Sequence, residues 1–196
     1  MEEIEIEEQR YGRNKDTQIN LSYIEGGEFR RKFDLITDDR ELNKLLYGLA
    51  KDMLKHRSGT LFEDMYWIDG VTQAVVAMEI SSTIPERIVY SDNTRKKISK
   101  YNGLITIHSH PMGMPPSIED LNSNFFNNYG LGLVIGHNGK VFLYNSEEFI
   151  SEKYYNMKVD SFISEGYNDY EANVLALRYC SSRFRIVAKE VGVDEL

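Results

Sequence analysis

The stretch IHSHPMGMPPSIEDL, residues 107–121, joins a predicted strand to a predicted helix. The residues just before it, GLIT, extend a nearly uninterrupted apolar run, which is typical of a central strand buried on both faces. Pro111 lacks the backbone N–H that a central strand requires and therefore ends the strand. Ser117 precedes an acidic first turn with Asp120 three residues later, a pattern typical of a helix N-terminus. The stretch predicts a strand, a short loop and a helix of an α/β protein.

The two histidines of this stretch, His108 and His110, are two residues apart on the predicted strand. Side chains at that spacing point to the same face, and open α/β sheets commonly bind ligands at the C-terminal ends of their strands. Two imidazoles on one side begin a zinc site, and the short loop can bring Asp120 back as a third ligand. The structural alternative is that Asp120 only stabilises the helix N-terminus and that the histidines are hydrogen-bonded core residues. We predict a single Zn²⁺ site per chain.

The composition of the 196-residue chain is that of a packed globular protein, because 41% of its residues are hydrophobic and 12% are aromatic. Its net charge of −8 gives no general attraction to nucleic acid or anionic lipid, so we expect no nucleic-acid partner and no membrane partner. The one cysteine, Cys180, cannot form an internal disulfide. The acidic N-terminus is unlike a signal peptide, and no apolar run is long enough to span a bilayer. These features favour a cytoplasmic location.

The two ends of the chain are predicted to differ from its middle. Residues 1–36 are predicted to contain a β-hairpin, because apolar residues alternate before a Gly-Gly turn and recur after it. Residues 147–196 are predicted to be a helical extension of two helices that break near Gly166. The second of these helices has apolar residues at helical spacing through Phe184 and Val187.

The middle of the chain, residues 37–146, interleaves predicted helices and strands. A long amphipathic helix covers about residues 38–56. It is followed by two strands joined at an Asp-Gly turn, a short helix, the histidine strand, the helix after Ser117 and a hairpin that turns at an Asn-Gly pair. This order predicts the α/β fold class, with a sheet flanked by helices.

The motif His-Ser-His-Pro, followed by a short loop and Ser-x-x-Asp, resembles the signature of the JAMM/MPN (JAB) zinc metalloprotease family. The resemblance covers about residues 38–146 and implies a three-layer, cytidine-deaminase-like mixed β-sheet. It implies that His108, His110 and Asp120 bind zinc. It also implies that Ser117 stabilises a developing oxyanion. The loop before that serine is one residue shorter than in many members, as in the bacterial, archaeal or phage-associated branch.

The resemblance further implies a catalytic glutamate on a strand after the first long helix. Glu63 opens the segment EDMYWIDG at the family's distance from the closing glycine, so it is implied as the residue that activates a water molecule. Tyr66 and Asp69 replace smaller or apolar residues of the family pattern. Glu79 and Glu86 therefore remain alternatives for the general base.

The activity implied by the resemblance is that of a zinc-dependent isopeptidase or endopeptidase, a hydrolase that cleaves an amide bond with a zinc-activated water. The implied substrate is a protein or peptide, such as the flexible tail of a ubiquitin-like protein. The alternatives are an interaction scaffold of the same fold and a phage-related morphogenesis component with vestigial peptidase activity. A zinc deaminase is excluded, because that class needs a Pro-Cys-x-x-Cys motif and this chain has one cysteine.

Overall fold

The histidine strand, β3 (Ile105–His110), is an inner strand of a six-stranded sheet in the computed structural model, which describes residues 15–193. The other strands are β1 (Met65–Asp69), β2 (Ala74–Glu79), β4 (Leu131–Gly136), β5 (Val141–Ser146) and β6 (Ile186–Glu190). Their order across the sheet is β2-β1-β3-β4-β5-β6. β3 and β4 run parallel and the other neighbouring pairs are antiparallel, so the sheet is mixed. The apolar run of β3 is explained by this inner position, which buries both of its faces.

Helices cover both faces of the sheet. Within residues 15–193 they are α1 (Leu21–Ile24), α2 (Gly27–Phe33), α3 (Arg40–Arg57), α4 (Asp92–Ile98), α5 (Ile118–Phe126), α6 (Glu152–Ser164) and α7 (Asp169–Ser181). One face packs on α1, α2 and α3 through a core that includes Phe33, Leu46 and Ile107. The other face packs on α5, α6 and α7 through a core that includes Leu121 and Val134. The predicted α/β class, with a mixed sheet between helices, is confirmed.

The middle of the chain follows the predicted order of elements. α3 begins after Asp39, whose side chain accepts hydrogen bonds from two backbone N–H groups of its first turn. α5 begins after Ser117, which forms a capping box with Asp120. The loop between β3 and α5 starts at the C-terminal end of β3. The N-terminus of α5 therefore lies near that same end of the strand. That end of β3 carries the candidate site.

The predicted N-terminal β-hairpin is wrong, because residues 15–36 form α1 and α2 and no strand. Asn20 caps α1 with its side chain, and the Gly-Gly pair begins α2 instead of closing a turn. Phe29 and Phe33 are four residues apart, so they lie on one side of α2 and both enter the core. This spacing is a helical signal that the short alternating run before it concealed.

The predicted C-terminal extension is only partly helical. The two helices that break near Gly166 are confirmed by α6 and α7. The continuation of the second helix through Phe184 and Val187 is wrong, because β6 follows α7 and pairs with β5. Ile186 and Ala188 pack into the core while Val187 between them is exposed, which is the two-residue period of a strand.

Candidate metal centre

His108 and His110 project from the same face of β3 at its C-terminal end, as their spacing predicts. Their Nε2 atoms lie 3.0 Å apart. His108 is 2% exposed, and its ring packs edge-on against Tyr144. Ser109 between them faces away, where its hydroxyl accepts a hydrogen bond from the backbone N–H of Asp64 at 3.1 Å. The two Nε2 atoms therefore lie close together at the C-terminal end of β3.

The carboxylate of Asp120, at the third position of α5, reaches both histidines. Its Oδ1 is 3.2 Å from His108 Nε2, and its Oδ2 is 3.5 Å from His110 Nε2. The same Oδ2 accepts hydrogen bonds from the backbone N–H of Ser117 at 2.7 Å and from its hydroxyl at 2.9 Å. The helix-capping role expected of Asp120 is therefore present, and it holds the carboxylate against the histidines.

The three side chains could hold a metal ion, because one donor atom from each lies within 4.8 Å of the others. A tetrahedral zinc ion with ligands about 2.0–2.2 Å away keeps neighbouring ligand atoms roughly 3.3 Å apart. The observed separations of 3.0, 3.2 and 3.5 Å are close to that value, with the two histidines facing different oxygens of the Asp120 carboxylate. Two imidazoles and a carboxylate are also a ligand set that zinc accepts in catalytic sites.

The second nitrogen of His110 supports the same arrangement. His110 Nδ1 lies 3.0 Å from the carbonyl oxygen of Met114, in the loop before α5. That contact places a proton on Nδ1, so the neutral ring presents the lone pair of Nε2 toward Asp120. Hydrogen bonds of this kind orient metal-binding histidines and fix their tautomer.

The charges of the site favour a cation between these side chains. Burial alone would lower the pKa of His110, but the hydrogen bond and charge of Asp120, together with the charge of Glu63, raise it to about 9. Burial alone would raise the pKa of Asp120, but His108 and His110 outweigh it and hold that pKa well below its usual range. At neutral pH a proton on His110 thus supplies the positive charge that a metal ion would otherwise supply.

A metal ion that binds this set would displace a proton from His110 at neutral pH. Because the pKa of His110 is raised to about 9, the apparent affinity for added zinc should rise roughly tenfold per pH unit from pH 7 and level off near that pKa. Calorimetric titrations in buffers of different ionisation enthalpy count the released protons. A zinc affinity that does not change between pH 7 and pH 8 would contradict this placement of the proton.

Glu63 precedes β1 and lies beside the histidines. Met65 is opposite His108 in the antiparallel pairing of β1 with β3, so Glu63 falls level with His110. Glu63 is 7% exposed. Burial raises its pKa, the charges of the two histidines oppose this, and the pKa remains raised. A buried carboxylate with a raised pKa next to a candidate metal site is suited to accept and return a proton.

The two alternative glutamates lie in different surroundings. Glu79 ends β2, and its carboxylate accepts hydrogen bonds from the backbone N–H of Ser91 at 2.9 Å and from its hydroxyl at 2.7 Å. It therefore anchors the residue that caps α4. Glu86 is exposed on the loop before α4, with a positive φ of 51°. Glu63 is the one of the three that is buried next to His108 and His110.

A buried ion pair behind the site was missed in the sequence. Asp64 is fully buried, and its carboxylate lies 2.5 Å from Nε of Arg57 and 2.7 Å from Nδ1 of His56. Its backbone carbonyl accepts a hydrogen bond from the N–H of Ser109 at 3.1 Å. These contacts fix the backbone that carries Glu63. Nothing in the sequence reveals the pair, because its members belong to different elements and meet only in the folded chain.

The site opens into a cavity of about 890 Å³, within the range of ligand-binding pockets. The candidate ligands line this cavity together with residues 86–90 and with Arg95 of α4. The structure brings all five predicted site residues to this cavity: Glu63, His108, His110, Ser117 and Asp120.

Comparison with protein-family models, with curated proteins and with solved structures finds no match for this chain. Within residues 15–193, no helix combines the length and the apolar character needed to cross a membrane. The fold and the site together define an α/β protein with a candidate His-His-Asp metal centre at a sheet edge.

Proposed function

We propose that the protein is a zinc-dependent metallopeptidase of the JAMM/MPN type that hydrolyses an amide bond in a protein or peptide. The observation that carries the proposal is the meeting of His108, His110 and Asp120 with a buried Glu63 at one end of an open cavity. The substrate we propose is a flexible segment, such as the tail of a ubiquitin-like protein, because a flexible chain can enter the cavity and bring its backbone to the buried His108 and Glu63.

The metal would be held by His108 Nε2, His110 Nε2 and the Asp120 carboxylate. Bound zinc supplies a Lewis acid that polarises a carbonyl and lowers the pKa of water toward neutrality. Glu63 accepts a proton from the attacking water and returns it to the leaving amine, which requires a carboxylate that gains and loses protons near neutral pH. Its burial and raised pKa support this role.

Ser117 would stabilise negative charge on the carbonyl oxygen. Its hydroxyl lies at the N-terminus of α5 and donates to Asp120 Oδ2 in the free protein. Rotation about its side-chain bond would redirect that proton to a substrate oxygen. Loss of one such donor typically lowers the rate by about 10²–10³-fold.

The proposal is tested by digestion of a broad substrate set. The zinc-supplied protein and its Glu63→Gln variant would each be incubated with a proteome-derived peptide library and with ubiquitin-like proteins fused through their tails to a reporter. New chain ends would be identified by mass spectrometry. We expect cleavages with the wild type that are absent with the variant.

The peptidase proposal would be contradicted if neither protein cleaved any substrate while the wild type had zinc bound. This result would favour the alternative of an interaction scaffold that keeps the metal centre for stability.

A further inference from the structure

One group of residues that line the cavity, drawn from residues 90–95, from α5 and from Tyr129, is rich in hydrogen-bond donors. We call it the donor end and define it by five lining residues: Tyr90, Arg95, Ser123, Asn124 and Tyr129. The five are close to one another. The hydroxyls of Tyr90 and Ser123 are 3.5 Å apart, and the backbone N–H of Tyr129 donates to the carbonyl of Asn124 at 3.0 Å.

Asn124 contributes amide hydrogens that have no acceptor. It is 1% exposed, and its Oδ1 accepts hydrogen bonds from the backbone N–H of Ser146 at 2.8 Å and from the side-chain amide of Asn145 at 3.5 Å. Because both neighbours are donors, the atom that they contact is the amide oxygen and the other is the amide nitrogen. Its Nδ2 has no hydrogen-bond partner among residues 15–193. A buried donor left without an acceptor is costly, by about 1–3 kcal/mol, unless a ligand or water satisfies it.

The two tyrosine hydroxyls of the donor end also remain protonated. Burial raises the pKa of Tyr90 and that of Tyr129. The hydroxyl oxygen of Tyr129 already accepts a hydrogen bond from Trp67 Nε1 at 3.0 Å. Its own proton is donated to the hydroxyl of Tyr90. The Tyr90 proton is therefore the one that remains for Ser123 or for a group in the cavity.

Arg95 supplies a fixed positive charge at the same place. Its guanidinium carbon lies 5.5 Å from the centre of the Tyr90 ring, and its Nε donates to the Tyr90 carbonyl at 3.2 Å. Among residues 15–193, no carboxylate forms an ion pair with Arg95. Arg95 is an exposed residue of the cavity lining, and a guanidinium can bind a carboxylate through two of its nitrogens.

The cavity lining carries charges of both signs, with two arginines and four carboxylates. Of the carboxylates, Glu63 and Asp120 are at the metal centre, and Glu86 is close enough to act on the pKa of Glu63. Arg95 is the cation that lies over the ring of Tyr90.

We propose that the donor end binds a carboxylate of the substrate, on one side of the bond that the metal centre cleaves. This inference deepens the proposed function and rests on it. Arg95 gives the charge, and the Asn124 amide with the Tyr90 hydroxyl gives the hydrogen bonds. The carboxylate belongs either to an acidic side chain or to a chain terminus, and both present the same oxygens.

The test is a titration of the full-length protein by NMR on a Glu63→Gln background with zinc supplied, so that turnover does not interfere. The probes are acetyl-Ala-Glu-Ala-amide, its Gln counterpart and the Gln peptide with a free C-terminus. The reporting signals are the Nε–H of Arg95 and the side-chain amide of Asn124. We expect the Glu peptide or the free-terminus peptide to bind at least roughly tenfold more tightly than the neutral peptide.

Arg95→Gln is expected to remove that preference, whereas Lys96→Gln, an exposed residue of the same helix outside the cavity lining, should keep it. The Arg95 dependence separates the donor end from a direct carboxylate–zinc contact. Whichever of the two carboxylate peptides binds more tightly identifies the source of the group. Equal affinity for all three peptides, or an unchanged preference in Arg95→Gln, would overturn the proposal.

The two proposals fail separately in these experiments. Carboxylate binding without any hydrolysis would overturn the peptidase proposal and support carboxylate binding at the donor end. Hydrolysis with no preference for acidic residues or chain termini would support the peptidase proposal and overturn carboxylate binding at the donor end.

Discussion

Glu63→Gln is expected to lower kcat by about 10²–10⁴-fold, the usual contribution of general acid–base catalysis. Glutamine has nearly the size of glutamate and cannot take a proton from water at neutral pH. Glu63 is not within the set of side chains that could hold the metal, so zinc binding should survive the change. The measurement is kcat on a substrate found by the library digestion, with the zinc content of the variant determined in parallel.

Two matched variants control this prediction. Glu86→Gln removes a carboxylate from the same cavity wall, and Glu79→Gln removes one that anchors α4. Both should keep kcat within about threefold of the wild type, since neither side chain lies beside the histidines. Retained turnover in a zinc-loaded Glu63→Gln protein, with turnover lost in Glu86→Gln or Glu79→Gln, would move the general base to that residue.

Asp120→Asn is expected to weaken zinc binding by well over the 10–100-fold typical of lost outer-shell contacts, because it removes a charged ligand. Hydrolysis should be lost with the metal. Asparagine keeps a side-chain oxygen that can accept the hydrogen bonds from Ser117, so the capping of α5 is preserved. Competition with a chromophoric chelator measures the affinity, and circular dichroism checks that the fold is retained.

Comparison of Asp120→Ala with Asp120→Asn separates the metal-binding role of this carboxylate from its helix-capping role. Asp120→Ala removes the metal ligand and the capping box together, so it should also lower the free energy of unfolding by about 0.5–2 kcal/mol. Glu119→Gln is the matched control on the same turn, outside the candidate metal set. An Asp120→Asn protein that binds zinc as tightly as the wild type would contradict the ligand assignment.

The inner part of the fold and the candidate site could be predicted because their signals are local. His108 and His110 share a face through the two-residue period of a strand, and Pro111 ends that strand. Ser117 and Asp120 mark a helix N-terminus by their own spacing. The structure confirms these short-range patterns without correction.

The errors and omissions have two other causes, which are competing local patterns and dependence on tertiary contacts. The N-terminal helices were mistaken for a hairpin because one short alternating run outweighed the helical spacing of Phe29 and Phe33. β6 is defined by its pairing with β5, which the local sequence does not encode. The pairing of Asp64 with Arg57 depends on the turn between α3 and β1, and the orientation of the Asn124 amide depends on Ser146, 22 residues away.

The number of zinc ions bound per chain tests the central claim most directly. The protein, purified without chelator and dialysed against a defined free zinc concentration, would be analysed by elemental mass spectrometry beside Asp120→Asn and a His108→Ala/His110→Ala double variant. We predict about one zinc ion per chain in the wild type and none in either variant. A well-folded wild type without zinc, or variants that keep it, would show that these side chains do not form a metal centre.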